Sequence, residues 1–202
     1  DGAQIDVMDA AELADDDMVA VVSTMGAPLV GQERLADPKL SVKPVRALED
    51  YLGRRFRAVM PVEIGGGNGL EPFLVAAGMG IPVVDADAMG RAFPEAQMTS
   101  FSIHELPMFP MALGDIRDNA IVITRAASWT WMERLSRAVC TALGSTAPTC
   151  KAPRTGREVK DCAILGSVTR AIALGRTVHE ARARHDDPVA AVLAAQGGRL
   201  LF

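Results

Sequence analysis

The sequence predicts an α/β protein with three layers, a mostly parallel sheet, flanking helices and a helix-rich second half. The chain has 202 residues, 49% of them hydrophobic, so one apolar core can form without a disulfide or a metal. Between residues 19 and 87, short apolar runs alternate with segments of helical periodicity, which predicts consecutive βαβ units. Helical periodicity then prevails after residue 129. We therefore expect a single α/β domain over residues 1–202.

The first elements follow from apolar runs that are stopped by glycine or proline. Val19 to Ser23 is a short run that is apolar up to Val22, which is typical of a strand buried on both faces. Apolar residues at helical spacing predict one helix from Pro44 to Gly53 and another after the glycines at 65–69. Further buried strands are predicted at 57–64 and 81–85. Right-handed crossovers place the helices on the sheet faces and ligands at the carboxyl ends of the strands.

The later elements are mostly helical. Strands are predicted from Gln97 to Ile103, near an edge, and from Ala120 to Thr124, with a turn at 115–119 between them. A helical stripe covers 132–143, and the capping box at Thr155 predicts a long helix to about Arg184. A last helix starts at 187–188 and ends at Gly197, after which the apolar tail 197–202 has the pattern of a beginning strand. The long helix is expected to pack on the sheet through Val159, Cys162, Val168, Ile172 and Val178.

Composition excludes several classes of function. The formal charge is −4 and no run of five basic residues occurs, so no nucleic-acid partner is expected. The longest apolar runs are far shorter than the ~20 residues that cross a bilayer. Three cysteines without C-x-x-C spacing predict neither a disulfide framework nor a zinc ribbon, which favours a cytoplasmic protein. The chain begins at Asp1, which fits either a piece of a longer protein or a processed terminus.

Two loops that follow predicted strands carry the candidate site residues. In the first, Glu63 precedes a glycine-rich stretch with Gly66, Gly67 and Asn68. Glycines allow the backbone to approach a ligand, and free N–H groups can hold an oxyanion or a ring carbonyl. The stretch matches neither phosphate-binding template, and a simple tight turn is the alternative.

The second loop, residues 85–95, contains three carboxylates and one arginine. Asp85, Asp87 and Glu95 could supply a base and an acid, and Arg91 could clamp a charge. Equally good interpretations are that Asp85 or Asp87 caps the backbone of the turn and that Glu95 is a solvated side chain. Because both loops follow strands, we expect Glu63, Gly66, Asn68, Asp85, Asp87 and Arg91 to gather at one edge of the sheet.

The histidines and cysteines give weaker evidence for a functional site. His104 lacks a second metal ligand at zinc-site spacing and is interpreted as structural. Cys140 and Cys162 lie on predicted helices and are expected to be core residues, whereas Cys150 lies in a proline-flanked predicted loop and is the one thiol to test for reactivity.

The two loops together resemble the S-methyl-thiohydantoin desulfurase family, formerly a domain of unknown function labelled hydantoinase/oxoprolinase-like. The resemblance rests on residues 59–68 and 82–95 and extends to 24–28, 46–53, 97–98, 110–113 and 197–202. It implies that the chain is the core of the N-terminal domain of a longer two-domain protein.

The resemblance implies hydrolysis of the exocyclic C–S bond of an S-methyl-thiohydantoin, giving a hydantoin and methanethiol. It marks the two loops as a group, and the chemistry then suggests Asp85 or Asp87 as base and Glu63 or Glu95 as acid or orienting group. Gly66, Gly67 and Asn68 would cradle the ring carbonyl, with Arg91 as clamp. The expected partner is a small hydantoin-like molecule; cofactor, metal and homo-oligomer formation stay open. The alternative is a non-catalytic ligand-binding or assembly subunit, and a nucleotide-binding enzyme is disfavoured by the missing template.

Overall fold

The computed structural model describes residues 2, 4–33, 37 and 39–201. Its centre is a seven-stranded sheet with the order β1-β4-β3-β2-β8-β6-β7, and a separate two-stranded sheet pairs β5 with β9. The strands are β1 Val7–Met8, β2 Met18–Gly26, β3 Ala58–Pro61, β4 Val83–Val84, β5 Ala86–Asp87, β6 Met111–Gly114, β7 Ala120–Ile123, β8 Thr146–Thr155 and β9 Ile164–Leu165. The helices are α1 Pro28–Gln32, α2 Val42–Leu52, α3 Glu71–Met79, α4 Ser100–Ile103, α5 Trp129–Ala142, α6 Gly156–Cys162, α7 Ser167–Ala183 and α8 Pro188–Gln196.

The strand directions divide the large sheet into two parts. Strands β1, β4, β3 and β2 pair in parallel, whereas β8 is antiparallel to β2, β6 to β8, and β7 to β6. Because β6 is antiparallel to β8, it runs in the direction of β2. Five of the seven strands therefore point the same way, and the predicted mostly parallel α/β sheet is confirmed.

Helices cover both faces of the sheet, which makes the three layers. Within β2, Val19 and Val21 belong to one core cluster with Met60 and Val159, while Ala20 and Val22 belong to another. The second cluster takes Val45 and Leu48 from α2 and Val75 from α3. A third cluster joins Met111 and Leu113 of β6 to Met132 and Cys140 of α5. Burial on both faces explains why the strands are apolar throughout.

Most predicted elements are confirmed. The strands expected at 19–23, 57–64, 81–85 and 120–124 correspond to β2, β3, β4 and β7. The helices expected after Pro44, after the glycines, at 132–143 and at 188 correspond to α2, α3, α5 and α8. Asp187 caps α8 by accepting the Val189 N–H at 2.8 Å, as its position before Pro188 predicts.

The strand predicted from Gln97 to Ile103 is wrong. Ala96–Met98 forms a 3-10 turn and Ser100–Ile103 is the short helix α4. Thr99 and Phe101 are buried, but the Ile103 and His104 N–H groups donate to the Thr99 and Ser100 carbonyls at 3.2 and 3.0 Å, so the segment closes into a helical turn instead of extending. The Ser100 N–H also donates to the Ala88 carbonyl at 2.8 Å, which fixes the start of α4 against the 85–95 loop.

The single long helix predicted from Thr155 to about Arg184 is also wrong. The capping box at Thr155 is present, but α6 ends at Cys162 because Ile164 and Leu165 extend to pair with β5. Gly166, with φ of 74°, then turns the chain into α7. Val159 and Val168 are buried and Cys162 and Val178 are half-buried, but Ile172 is exposed, so the expected apolar stripe is interrupted at Ile172.

The central strand β8 was not predicted from the sequence, because it contains two prolines. Pro153 lies at a bulge, where Val19 and Val21 of β2 face Arg154 and Lys151, and Pro148 lies beyond the pairing with β6. A bulge and an unpaired edge are the places where a strand tolerates proline. Strands β1, β5, β6 and β9 were missed as well.

The end of the chain does not form the strand that its composition suggested. Residues 197–201 have no regular structure after α8, and Phe202 lies outside the described residues. Across the part of the chain that the structure describes, no helix has both the length and the apolar character needed to span a membrane.

Candidate functional site

A cleft of about 880 Å³ opens at the carboxyl ends of β2 and β3. This is the edge of the sheet at which α/β proteins bind ligands. Its walls include the end of β2, the loop after β3, Phe93, Pro94 and Ala96, and residues of α5 and β8. The polar lining residues include Thr24, Glu63, Asn68, Glu133, Arg137 and Lys151.

Glu63 connects the two loops that the sequence singled out. Its side chain is buried, and its two carboxylate oxygens accept hydrogen bonds from Asn68 Nδ2 at 2.5 Å and from the Phe93 N–H at 2.8 Å. The Asn68 Oδ1 in turn accepts the Thr24 N–H at 2.8 Å. This chain of bonds ties the end of β2, the glycine loop and the 85–95 loop to one carboxylate.

The glycine loop forms a 3-10 turn over Gly66–Gly69 before α3 begins. Gly65 packs so closely on Ala92 that an added Cβ would lie 2.6 Å from the Ala92 Cβ and 2.7 Å from its nitrogen. A Cβ on Gly67 would meet nothing within 4 Å. The loop therefore has one side packed on the protein and one open side, at Gly67, which lines the cleft.

The two predicted loops do lie at the same edge of the sheet, since Gly65 packs on Ala92 and Glu63 binds the Phe93 N–H. The structure nevertheless divides the predicted site residues. Glu63, Gly67 and Asn68 line the cleft. Gly66 lies within the same turn, with φ of 50° and an exposed backbone. Asp85, Asp87, Arg91 and Glu95 are outside the lining of the cleft.

Asp85 and Asp87 both bind backbone N–H groups. Asp87 is fully buried, and its Oδ2 accepts from the Met89 and Gly90 N–H groups at 2.9 and 2.6 Å. Its Oδ1 is buried without a hydrogen-bond partner among the described residues. Asp85 Oδ1 accepts the Thr169 N–H in the first turn of α7 at 2.9 Å. Asp87 thus caps the turn of its own loop, which was the alternative to catalysis, whereas Asp85 binds the first turn of α7. Their catalytic roles stay predictions.

Arg91 and Glu95 are exposed side chains of the 85–95 loop. The Arg91 guanidinium donates to the Ala92 carbonyl at 2.8 Å, and Glu95 accepts from the Gln97 side-chain amide. Neither residue contacts the Glu63 network through a hydrogen bond of its side chain within the described chain. Their predicted roles therefore stay predictions.

Sequence reasoning missed four charged residues of the cleft, Glu71, Glu133, Arg137 and Lys151. Glu133 on α5 is buried and accepts the Ala96 N–H at 3.1 Å, and Arg137 Nε lies 2.5 Å from its Oε1. Arg137 also donates to the Pro94 carbonyl at 2.7 Å. Lys151 enters from β8, where burial lowers the pKa of its amine despite the nearby Glu133 and Glu63 carboxylates. The i, i+4 spacing of Glu133 and Arg137 on the predicted helix could have indicated an ion pair. Lys151 could not be placed, because its strand β8 was not predicted.

The prediction that Cys150 lies in a loop is wrong. Cys150 is fully buried in β8, and burial raises the pKa of its thiol far above the usual range. Among the described residues, no group of three or more His, Cys, Asp or Glu side chains is placed to hold a metal ion.

Comparison with known proteins identifies the family. The model described as "S-Me-THD-like, N-terminal domain" matches residues 1–125, and the one described as "S-Me-THD-like, C-terminal domain" matches residues 127–202. A crystal structure of a structural genomics target from Chromobacterium violaceum aligns with a TM-score of 0.86 at 24% identity, covering 98% of this chain and 56% of that one. The chain thus spans little more than half of that protein. No curated protein matches the sequence. The chain belongs to the S-Me-THD-like family, as the two loops had suggested.

Proposed function

We propose that the protein hydrolyses the exocyclic C–S bond of an S-methyl-thiohydantoin, releasing methanethiol and a hydantoin. Membership of the S-Me-THD-like family supports the substrate class. The observation that carries the chemistry is Glu63, a buried carboxylate that lines the cleft and accepts hydrogen bonds from Asn68 and Phe93. Water must add to an amidine-like carbon, which needs a base and donors for the ring carbonyl.

In this proposal Glu63 accepts a proton from the attacking water. Its two hydrogen-bond donors hold the carboxylate in place and leave further lone pairs free for the water. The open side of the glycine loop, at Gly66, Gly67 and Asn68, receives the ring carbonyl. The cleft of about 880 Å³ is large enough for a five-membered ring with a side chain.

The first experiment measures methanethiol release from an S-methyl-thiohydantoin by the protein and by Glu63→Gln. We expect kcat to fall by a factor of about 100 or more, the usual contribution of a general base. Glu180→Gln, at an exposed position of α7, is the control and is expected to keep the kcat of the unmodified protein. If Glu63→Gln keeps full activity, Glu63 is not the base.

The second experiment separates Glu63 from the carboxylates that the sequence suggested. Asp85→Asn and Asp87→Asn keep an oxygen that can cap the backbone, so each is expected to fold. If either one lowers kcat by a factor of about 100, the base belongs to the 85–95 loop. Arg91→Lys tests the clamp, since lysine keeps the charge but loses the planar fork.

Two further measurements test the reaction class. Loss of activity with a chelator would mean that a metal ion, held by carboxylates of the two loops, activates the water. Binding of a hydantoin without release of methanethiol would make the protein a ligand-binding subunit, the alternative function.

A further inference from the structure

Lys151 differs from the other three lysines of the chain in its surroundings. Lys43 and Lys160 form ion pairs with Asp118 and Asp15, at 2.9 and 2.5 Å, and Lys39 is exposed to solvent. Lys151 is half-buried and lines the cleft. Within the described residues its side chain makes no ion pair of 4.0 Å or less and no hydrogen bond. An amine withdrawn from water without such a partner is costly, which points to a use for it.

The charged and titratable groups around Lys151 are already engaged. Glu63 accepts from Asn68 and Phe93, and Glu133 accepts from Ala96 and pairs with Arg137. The remaining neighbour is the Cys150 thiol, which burial keeps protonated. The hydrogens of the Lys151 amine are therefore free for a bound molecule.

The electrostatic balance at Lys151 suits proton exchange. Burial lowers the pKa of the amine from its ordinary value near 10.4, and the Glu133 and Glu63 carboxylates oppose this. Arg137, a like charge, acts with burial. An amine whose pKa is moved toward neutrality gives up and regains a proton more readily than an exposed lysine.

We propose that Lys151 is the proton donor of the cleft, acting on the ring nitrogen of the substrate while Glu63 acts on the water. This inference rests on the proposed function. As the water oxygen bonds to the amidine-like carbon, Glu63 takes one water proton and Lys151 gives a proton to the ring nitrogen. The C–S bond then breaks, the sulfur takes the proton held by Glu63, and the remaining hydroxyl proton returns to Lys151 as the carbonyl forms. Both residues end in their starting state, and the products are a hydantoin and methanethiol.

The activity test compares Lys151→Met and Lys151→Arg with Lys43→Met, whose lysine pairs with Asp118 away from the cleft. Lys151→Met is expected to lower kcat by a factor of about 100 or more. Lys151→Arg is expected to lower kcat as well, because a guanidinium keeps its positive charge but does not release a proton. In the unmodified protein we expect kcat to fall at alkaline pH as Lys151 loses its proton, and this fall should disappear from the residual activity of the variants. Full activity and an unchanged alkaline limb in Lys151→Arg would overturn the proposal.

A second measurement needs no turnover. Acetic anhydride labels neutral amines, so the pH dependence of labelling, read for each lysine by mass spectrometry, gives the pKa of Lys151 and of Lys39 in the intact protein. We expect Lys151 to be labelled from a lower pH than Lys39 and to be protected by the product hydantoin. A labelling profile identical to that of Lys39, or no protection, overturns the role of Lys151. Absence of methanethiol release by the unmodified protein instead overturns the proposed function, so the two failures are distinct.

Discussion

At the scale of single residues, Glu49 shows how the fold holds a buried charge. Its carboxylate accepts the Phe56 N–H at 2.9 Å and is paired with Arg55 at 2.7 Å and Arg46 at 2.9 Å. Burial alone would raise its pKa, but these three donors together outweigh it and lower the pKa. The carboxylate fixes the end of α2 to the segment that leads into β3.

We predict that Glu49→Gln lowers the free energy of unfolding by about 1–3 kcal/mol at pH 7, since a buried group loses charge-assisted hydrogen bonds. The folded-state pKa is below the unfolded value of about 4.3, so this contribution is complete above that pH and is lost as the pH falls through the folded-state pKa. Urea unfolding at pH 7 and pH 3 should therefore show a smaller difference between the two proteins in acid. Glu180→Gln serves as the exposed control and should change stability by less than about 0.5 kcal/mol.

The cysteines give a second prediction at this scale. Cys150 is buried in β8 and Cys140 is buried on α5, whereas Cys162 is half-buried at the end of α6. Burial raises the pKa of all three thiols. We expect iodoacetamide to modify Cys162 first and slowly in the native protein, and Cys150 only after unfolding, as measured by mass spectrometry of the labelled peptides. Native-state labelling of Cys150 ahead of Cys162 would mean that β8 opens locally.

At the scale of elements, the glycine loop offers a matched pair of substitutions. Gly65→Ala places a methyl group against the Ala92 backbone, whereas the same change at Gly67 meets open space. We predict that Gly65→Ala lowers the free energy of unfolding by about 1–3 kcal/mol, the usual cost of overpacking. Gly67→Ala should leave stability nearly unchanged and raise KM, because the methyl group faces the cleft. Equal thermal stability of the two variants would show that the Gly65–Ala92 contact yields without cost.

The elements that the sequence predicts well are those whose signal is local. The apolar run of β2 is buried on both faces, and the Val45–Leu48 spacing of α2 reflects burial of both side chains in one core cluster. The break after α6 could not be predicted, because Ile164 and Leu165 leave the helix to pair with β5, almost 80 residues earlier in the chain. A pairing at that distance has no trace in helical periodicity.

The residues of the candidate site also divide into those with a local sequence signal and those without one. Glu63, Gly67 and Asn68 were identified because glycines after a buried strand are a local signal, and the structure places them in the cleft. Lys151 and Glu133 come from β8 and α5 and reach the cleft only through tertiary packing. Asp85 and Asp87 were selected because carboxylates can act as acids or bases. In the structure Asp85 accepts the Thr169 N–H, and Asp87 accepts the N–H groups of Met89 and Gly90.

At the scale of the whole molecule, β8 joins the two segments that the family models separate. Residues 127–202 supply β8, which lies between β2 and β6 of the first segment. The same segment supplies α5 and α6, whose Met132 and Val159 are buried in core clusters with residues of the first. The cleft also takes Glu133 and Lys151 from this segment and Glu63 from the other. The sheet and the candidate site are therefore shared between the two segments.

We predict that residues 1–202 unfold as one cooperative unit and that residues 1–126 alone do not fold. Without β8, the backbone groups of β2 and β6 lose their partners, and apolar side chains on the sheet face under α5 and α6 are exposed to water. In urea, far-UV circular dichroism and the fluorescence of Trp129 and Trp131 should report one coincident transition for 1–202. The 1–126 fragment should show no cooperative transition by circular dichroism.

Residues 1–186, which lack only α8 and the tail, are the control and should keep the transition, since α8 has no fully buried residue. Cooperative folding of 1–126 would instead establish it as a domain in its own right, with β8 as an added strand.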